Sequence, residues 1–282
     1  MKYKPAKLIA EVACGHLGNI NIAKEMVKDA YLSGVDYVKF QKRNPIESVP
    51  LEIQNKPHPN RDFSYGETYL AHREALELTI EQHADIKSYC EYLGIGYSTS
   101  VWDITSAKEV IGINPDFIKI PSACNLNEEL VHTLLSDYSG QIHISTGMTT
   151  CEEIEIVKGF VQSNSHRFVI YHCTSEYPCP FDRLYLLEVE RLFNEFNCEI
   201  GFSNHGKGIS SDIAAYMLGA TWIERHFTYD RTAKYTDAAA SLELGGLQKL
   251  SRDLKNVYKS LQLKKEMSEN EMSQRKKLKT GV

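Results

Sequence analysis

Short apolar runs rich in β-branched and aromatic residues alternate with longer amphipathic runs from Leu8 to Leu263, and the alternation repeats eight times. The short runs are LIAEVA (8–13), YVKFQ (37–41), IGYSTS (95–100), FIKIP (117–121), QIHISTG (141–147), RFVIYHCTS (167–175), EIGFSNH (199–205) and TWIERHFT (221–228). Each reads as a strand. Each is followed, directly or after a loop, by a segment of helical period, at 19–33, 79–93, 103–112, 127–137, 150–164, 184–197, 209–219 and 246–262. Eight strand–helix units in roughly 250 residues predict a single-domain (β/α)8 barrel. An open, doubly wound sheet is the competing architecture, but ACGHLGN after the first strand does not match the G-x-G-x-x-G turn of that fold.

Successive side chains of a strand point to opposite faces. Leu8, Ala10 and Val12 therefore share one face, with Ile9, Glu11 and Ala13 on the other. In the same way Val38 and Phe40 oppose Lys39, Ile118 and Ile120 oppose Lys119, and Ile142 and Ile144 oppose His143 and Ser145. The apolar parity predicts the side facing the helices and the polar parity the barrel interior. His205 shares a parity with Ser203, and His226 with Glu224, so both histidines are expected to point inward at the C-terminal ends of adjacent strands. Barrel enzymes carry their chemistry at that end. The same parity sends Arg225 toward the helices, which is unexpected for a charged residue.

Two segments depart from the alternation. Residues 42–78 are too long for an ordinary βα loop and include PHPNRDFSYGETY, so they are expected to lid the site, with Arg43, His58, Arg61 and Tyr65 reading the ligand. Residues 264–282 are polar and highly charged and read as a tail. Across the chain 37 acidic and 32 basic residues are scattered, for a net charge of −5, which excludes an extended nucleic-acid footprint. The N-terminal stretch meets Glu11 too soon to be a signal-peptide core or a membrane span. With seven cysteines, an odd number without C-x-x-C spacing, the expectation is a cytoplasmic protein with reduced thiols.

The inward polar positions carry the chemistry. His205 and His226, with Glu11 two strands round, can hold a divalent metal and leave positions open to water or substrate; hydrogen-bonded core histidines are the alternative. Lys39 and Lys119 sit inside strands, where an ammonium needs an anion: either a bound phosphate or carboxylate, or an ion pair with Glu11 or Glu224. Ser100, Ser122, Ser145, Ser175 and Ser203 fall at the ends of strands three to seven, and hydroxyls gathered with two lysines suit a phosphorylated or carboxylated ligand. Tyr177, before a proline, can stack on or hydrogen-bond a sugar, or be structural. Thr149 or Thr150, followed by Glu152 and Glu153, marks a helix start.

LIAEVACGHLGN, VKFQ, KIPSACN, STGMTTCEEIE, HCTSEYP, IGFSNHGKGI and IERHFTYDRT, in that order, resemble the N-acetylneuraminate (sialic acid) synthase family, which includes nonulosonate and spore-coat polysaccharide synthases. The resemblance implies a (β/α)8 transferase that condenses phosphoenolpyruvate with an aldose, N-acetylmannosamine or a related sugar, using manganese, or alternatively magnesium or cobalt. It implies that His205 and His226 ligate the metal and that Glu11 sits beside the reacting carbons. Lys39, Lys119, Ser100, Ser122, Ser145, Ser175 and Ser203 would hold phosphoenolpyruvate, while Tyr177 and Asp237 would contact the sugar. Cys124 stands where the family carries an acidic sugar contact, SNH replaces S-D-H, CGHLG replaces N-H-N-G, and Ala238 stands where His is usual. The family's C-terminal antifreeze-like domain, which reaches the partner's site in its dimers, is expected to be absent after a barrel of residues 1–263. A sugar- or phosphoenolpyruvate-binding barrel without catalysis, and a metal-dependent aldolase, are the competing functions.

Overall fold

The computed structural model describes residues 3–281. Eight parallel strands close into one barrel in chain order: β1 (Lys7–Glu11), β2 (Tyr37–Lys42), β3 (Gly96–Val101), β4 (Phe117–Ile120), β5 (Gln141–Ser145), β6 (Phe168–Cys173), β7 (Glu199–Asn204) and β8 (Trp222–His226). Helix α1 (Ile20–Leu32) follows β1, and three short helices, α2 (Pro45–Ser48), α3 (Leu51–Gln54) and α4 (Tyr69–Leu76), follow β2. The outer ring continues with α5 (Ile80–Leu93), α6 (Ile104–Ile113), α7 (Glu128–Asp137), α8 (Cys151–Gln162), α9 (Leu187–Glu195), α10 (Ser210–Met217) and α11 (Leu244–Ser260). A last helix, α12 (Glu269–Leu278), lies in the segment expected to be a tail; it buries no side chain, and Ser268 caps it by accepting the Glu271 amide at 3.2 Å. Among the described residues no helix is long and apolar enough to cross a membrane.

Several helices, α5 and α8 among them, start where a side chain satisfies their first amides. Thr79 and Thr150 each accept the amide three residues on, and Gln82 and Glu153 return the bond to the cap amides at 2.8 Å. Strand parity then divides the core in two. Leu8, Ala10, Val38, Phe40, Ile118, Ile120, Ile142 and Ile144 pack against the helices, whereas Ile9, Phe117, Val169, Tyr171 and Trp222 form a separate cluster along the axis with Tyr37. His143 stacks on Phe117 at 3.8 Å inside this plug. Tyr37 and Tyr171 fit because their cross-strand neighbours are Gly96 and Gly201, where a Cβ would lie 2.2 and 2.4 Å from the rings. The plug closes the N-terminal half of the barrel and leaves the polar inward residues above it around a cavity.

Arg225 does face outward, and it is fully buried there. Its guanidinium meets Asp212 of α10 at 3.0 Å and donates to the carbonyls of Gly206 at 2.7 Å and Gly208 at 3.0 Å. Asn204, also outward, donates to Asp212 at 2.8 Å and accepts the Gly206 amide at 2.7 Å. The charged residue is accounted for by a carboxylate one helix away, and together they fix the loop that carries His205.

The segment after β2 is more ordered than a loop. Besides its three helices, Tyr65 donates to the carbonyl of Lys234 at 3.2 Å, tying it to the segment after β8. His58 is buried against Tyr69 and His72, with ring centroids 5.6 and 4.5 Å away.

Candidate active site

A cavity of about 390 Å³ opens at the C-terminal ends of the strands. Glu11, Lys39, Ser100, Lys119, Ser122, Ser145, Ser175, Tyr177, Ser203, His205, His226 and Asp237 all line it. Cys124 does not; its thiol turns to the carbonyl of Trp102 at 3.4 Å. Of the four residues expected to read the ligand from the β2 loop, Arg43 lines the cavity, while His58, Arg61 and Tyr65 do not. Ser122 and Ser175 lie just beyond β4 and β6 rather than within them, and loop backbone brings them back to the rim. A larger hollow of about 920 Å³ at the opposite end of the barrel is lined by residues such as Phe193, Met217 and the exposed Lys4–Glu199 pair, and has none of the inward charge described below.

The floor is a nearly dry box of four charged groups. Lys39 contacts Glu11 at 2.5 Å and Glu224 at 3.6 Å, and donates to Ser100 at 2.9 Å; Lys119 contacts Glu224 at 2.7 Å. Glu224 also accepts from Ser203 at 3.2 Å, and Glu11 accepts from Gln41 at 2.8 Å. The lysines are thus ion-paired and on the cavity wall at once. Burial pushes the Glu11 carboxyl up to about 7, against the pull of Lys39. Burial would raise Glu224 too, but Lys119 and Lys39 outweigh it and hold that carboxyl well below the usual range. The two carboxyls are driven apart, which leaves Glu11 as the one that titrates near neutrality.

On the β4–β6 side the hydroxyls converge on Gly147. Its amide donates to Ser122 at 3.0 Å, and a Cβ there would lie 2.4 Å from Ser175 Oγ, 2.6 Å from Cys173 Sγ and 2.8 Å from Ser122 Oγ. The buried Ser145 hydroxyl has no hydrogen-bond partner. Ser122, Ser145 and Ser175 line the cavity, the missing side chain at Gly147 leaves Ser122 and Ser175 their positions, and hydroxyls gathered in this way form a cradle suited to an oxyanion.

The two histidines stand with ring centroids 5.5 Å apart. His205 Nδ1 lies 2.7 Å from the carbonyl of Thr174, which fixes the proton there and leaves the Nε2 lone pair free. His226 Nδ1 is 3.9 Å from Asp237, and Tyr177 packs on His205 at 4.1 Å. Burial lowers both imidazoles to about 3, so both are neutral donors at ordinary pH. Rings at this separation can share one ion at metal–nitrogen lengths of about 2.1 Å. Among the described residues no group of three His, Cys, Asp or Glu is arranged to hold a metal; the two imidazoles are the nitrogen donors that the cavity offers to an ion.

The sequence alone does not single out Arg73, Trp102, Tyr69, Thr236, Gly147 or Gln41, and it offers Glu224 only as an ion-pair partner of the lysines. Tyr69 and Arg73 reach the mouth from one face of α4, four residues apart, a placement that only the folded loop reveals.

The profile of the NeuB family matches residues 26–266. The chain belongs to the NeuB family. It is 29% identical over 261 residues to the N,N'-diacetyllegionaminic acid synthase of Campylobacter jejuni, covering 92% of this chain and 78% of that protein. It is 32% identical over 260 residues to the N-acetylneuraminate-9-phosphate synthase of Mus musculus, covering 91% of this chain and 71% of the relative. Among solved structures, the N-acetylneuraminic acid synthetase of Leptospira borgpetersenii, in complex with citrate, superposes with a TM-score of 0.80 at 24% identity, covering 97% of this chain and 91% of that one. A truncated 3-deoxy-D-arabino-heptulosonate 7-phosphate synthase of Thermotoga maritima shares the fold at a TM-score of 0.66 and 16% identity, covering 91% and 87% of the two chains.

Proposed function

We propose that this NeuB-family barrel condenses phosphoenolpyruvate with an aldose to give a sialic-acid-like 3-deoxy-2-ulosonate and inorganic phosphate. The observation that carries the reading is the meeting, in one cavity, of an oxyanion cradle, two buried lysines, a carboxyl titrating near neutrality and two neutral imidazoles. Family membership and relatives named as N,N'-diacetyllegionaminic acid and N-acetylneuraminate-9-phosphate synthases support it.

In this reading Lys39, Lys119 and the Ser122–Ser145–Ser175 rim hold the phosphate and carboxylate of phosphoenolpyruvate. The aldose enters between this end and the mouth, with Gln41, Tyr177 and Asp237 beside its hydroxyls. When bound between His205 and His226, a divalent ion such as manganese would draw electron density from the aldehyde carbonyl. Attack by C3 of the enol phosphate leaves positive charge at C2, which the Glu11 carboxylate faces and stabilises. Water adds at C2, and the phosphate leaves with cleavage of its C–O bond. Lys39 and Lys119 follow the negative charge from substrate to product without making or breaking bonds. The test is phosphoenolpyruvate-dependent phosphate release across a panel of aldoses with added manganese. Release that depends on both aldose and enzyme supports the synthase; phosphoenolpyruvate binding without release, for every aldose, leaves a binding barrel instead.

A further inference from the structure

Two guanidinium groups line the mouth of the cavity, and neither serves the lysine end. Arg73 is buried on α4 and Arg43 is half-buried just after β2. Arg43 donates to Gln41 Oε1 and lies over the Trp102 ring at 3.5 Å, and among the described residues it forms no ion pair with a carboxylate. Arg73 directs two N–H groups at the Cys14 sulfur at 3.8 Å and reaches Glu77 at 3.4 Å. Burial pushes the Cys14 thiol up, so that sulfur is a neutral, weak acceptor. The Nε atoms of both arginines are buried without a hydrogen-bond partner, as is that of Arg225, so what sets the pair apart is the shortage of carboxylates.

A purely structural arginine pair of this kind would be matched by carboxylates, as Arg225 is by Asp212. Here Glu77 alone is shared, through the Arg43 backbone amide at 3.1 Å and the Arg73 side chain. Asp237, on the same mouth, pairs with neither arginine; the partner within reach is His226. Burial and then the Arg73 charge push Arg43 down to about 10, as expected for a cation short of a counter-ion. Buried donors of this number and planarity match a phosphate or carboxylate bidentately. The pair is also placed for the far end of a sugar: Gln41 bridges from Arg43 to Glu11, so the guanidinium stands one side chain from the carboxyl assigned to the reacting carbons.

We propose that Arg43 and Arg73 bind an oxyanion carried by the aldose on the end away from its aldehyde, so that the sugar substrate is a phosphorylated or carboxylated aldose. The proposal rests on the synthase reading above and names the class of sugar it takes. It also gives the mouth a recognition element where Cys124 turns away.

The experiment compares kcat/KM at saturating phosphoenolpyruvate for mannose, mannose 6-phosphate and mannuronic acid, and for N-acetylmannosamine and its 6-phosphate. The proteins are wild type, Arg43→Gln, Arg73→Gln and Arg73→Lys. Wild type should prefer a charged aldose to its neutral parent by about tenfold or more, and the preferred arm identifies phosphate or carboxylate. The ratio should fall by about tenfold to a hundredfold in each Gln variant and recover in part with Lys. Neutral aldoses used as well as both charged forms would overturn the proposal, as would a preference that survives both Gln replacements or an effect confined to KM for phosphoenolpyruvate. Where Arg73→Gln fails to fold by thermal melting, the half-buried Arg43→Gln carries the comparison. If no aldose releases phosphate, the synthase reading fails separately, and titration with mannose 6-phosphate against mannose, phosphoenolpyruvate present, decides the inference. Tighter binding of the phosphate ester that weakens in Arg43→Gln upholds it, and equal affinities overturn it.

Discussion

Replacing Gly147 with alanine probes the oxyanion cradle with one methyl group. Gly147 does not have a positive φ, so alanine brings no backbone strain and the effect is steric. The new Cβ would lie 2.4 Å from Ser175 Oγ, 2.6 Å from Cys173 Sγ and 2.8 Å from Ser122 Oγ, when ordinary contact begins near 3.4 Å. One hydroxyl could rotate away at little cost, but three groups at the ends of two strands, β4 and β6, must move together, and Ser122 cannot move without stretching its 3.0 Å bond from the Gly147 amide. Overpacking of this kind costs about 1–3 kcal/mol of stability. The methyl also displaces the Ser122 and Ser175 hydroxyls that line the cavity. Loss of one or two charge-assisted hydrogen bonds, at about 1.5–3 kcal/mol each, raises KM for phosphoenolpyruvate at least tenfold. The assay is steady-state phosphate release against phosphoenolpyruvate concentration, with a melting curve to show that the variant is folded. A folded Gly147→Ala protein with KM for phosphoenolpyruvate within twofold of wild type would refute the cradle.

Three other outcomes follow from the geometry. Below about pH 7 the Glu11 carboxyl takes up a proton and loses the charge that faces C2, so kcat/KM falls as pH drops; Glu11→Gln lowers the rate and flattens that limb, and an unchanged limb in the variant assigns it elsewhere. His205→Ala and His226→Ala each weaken manganese binding, read by titration, and abolish phosphate release; normal manganese affinity in both contradicts the two-imidazole site. Asp212→Ala strands the fully buried Arg225 charge and costs about 3–5 kcal/mol, seen as a lowered Tm; an unchanged Tm contradicts the account of the loop that carries His205.

The barrel is written in the chain because its signal is local: an apolar parity and a polar parity on the same strand, repeated eight times. Lys39, Lys119, His205 and His226 stand out for the same reason, each a polar residue on the inward parity of an otherwise apolar run. Arg225 looks like a misfit because its partner, Asp212, lies on a helix that no strand pattern can point to. Arg43 and Arg73 are thirty residues apart, and their meeting at the mouth depends on how the segment after β2 folds into short helices, which its Pro- and His-rich composition conceals. Gly147 carries no side chain to attract notice; its role is the space that Ser122, Cys173 and Ser175 surround. Cys124 shows the converse, a residue in a well-matched stretch whose thiol turns out of the cavity.

The most direct test of the central claim, condensation of phosphoenolpyruvate with C–O cleavage, is the fate of the bridging oxygen. Phosphoenolpyruvate labelled with heavy oxygen between C2 and phosphorus is turned over with the best aldose found, and both products are weighed by mass spectrometry. The account predicts that the label leaves entirely in inorganic phosphate and that the organic product has gained the three carbons of pyruvate. Label retained in the organic product, or phosphate release without a new three-carbon extension of the sugar, would contradict it.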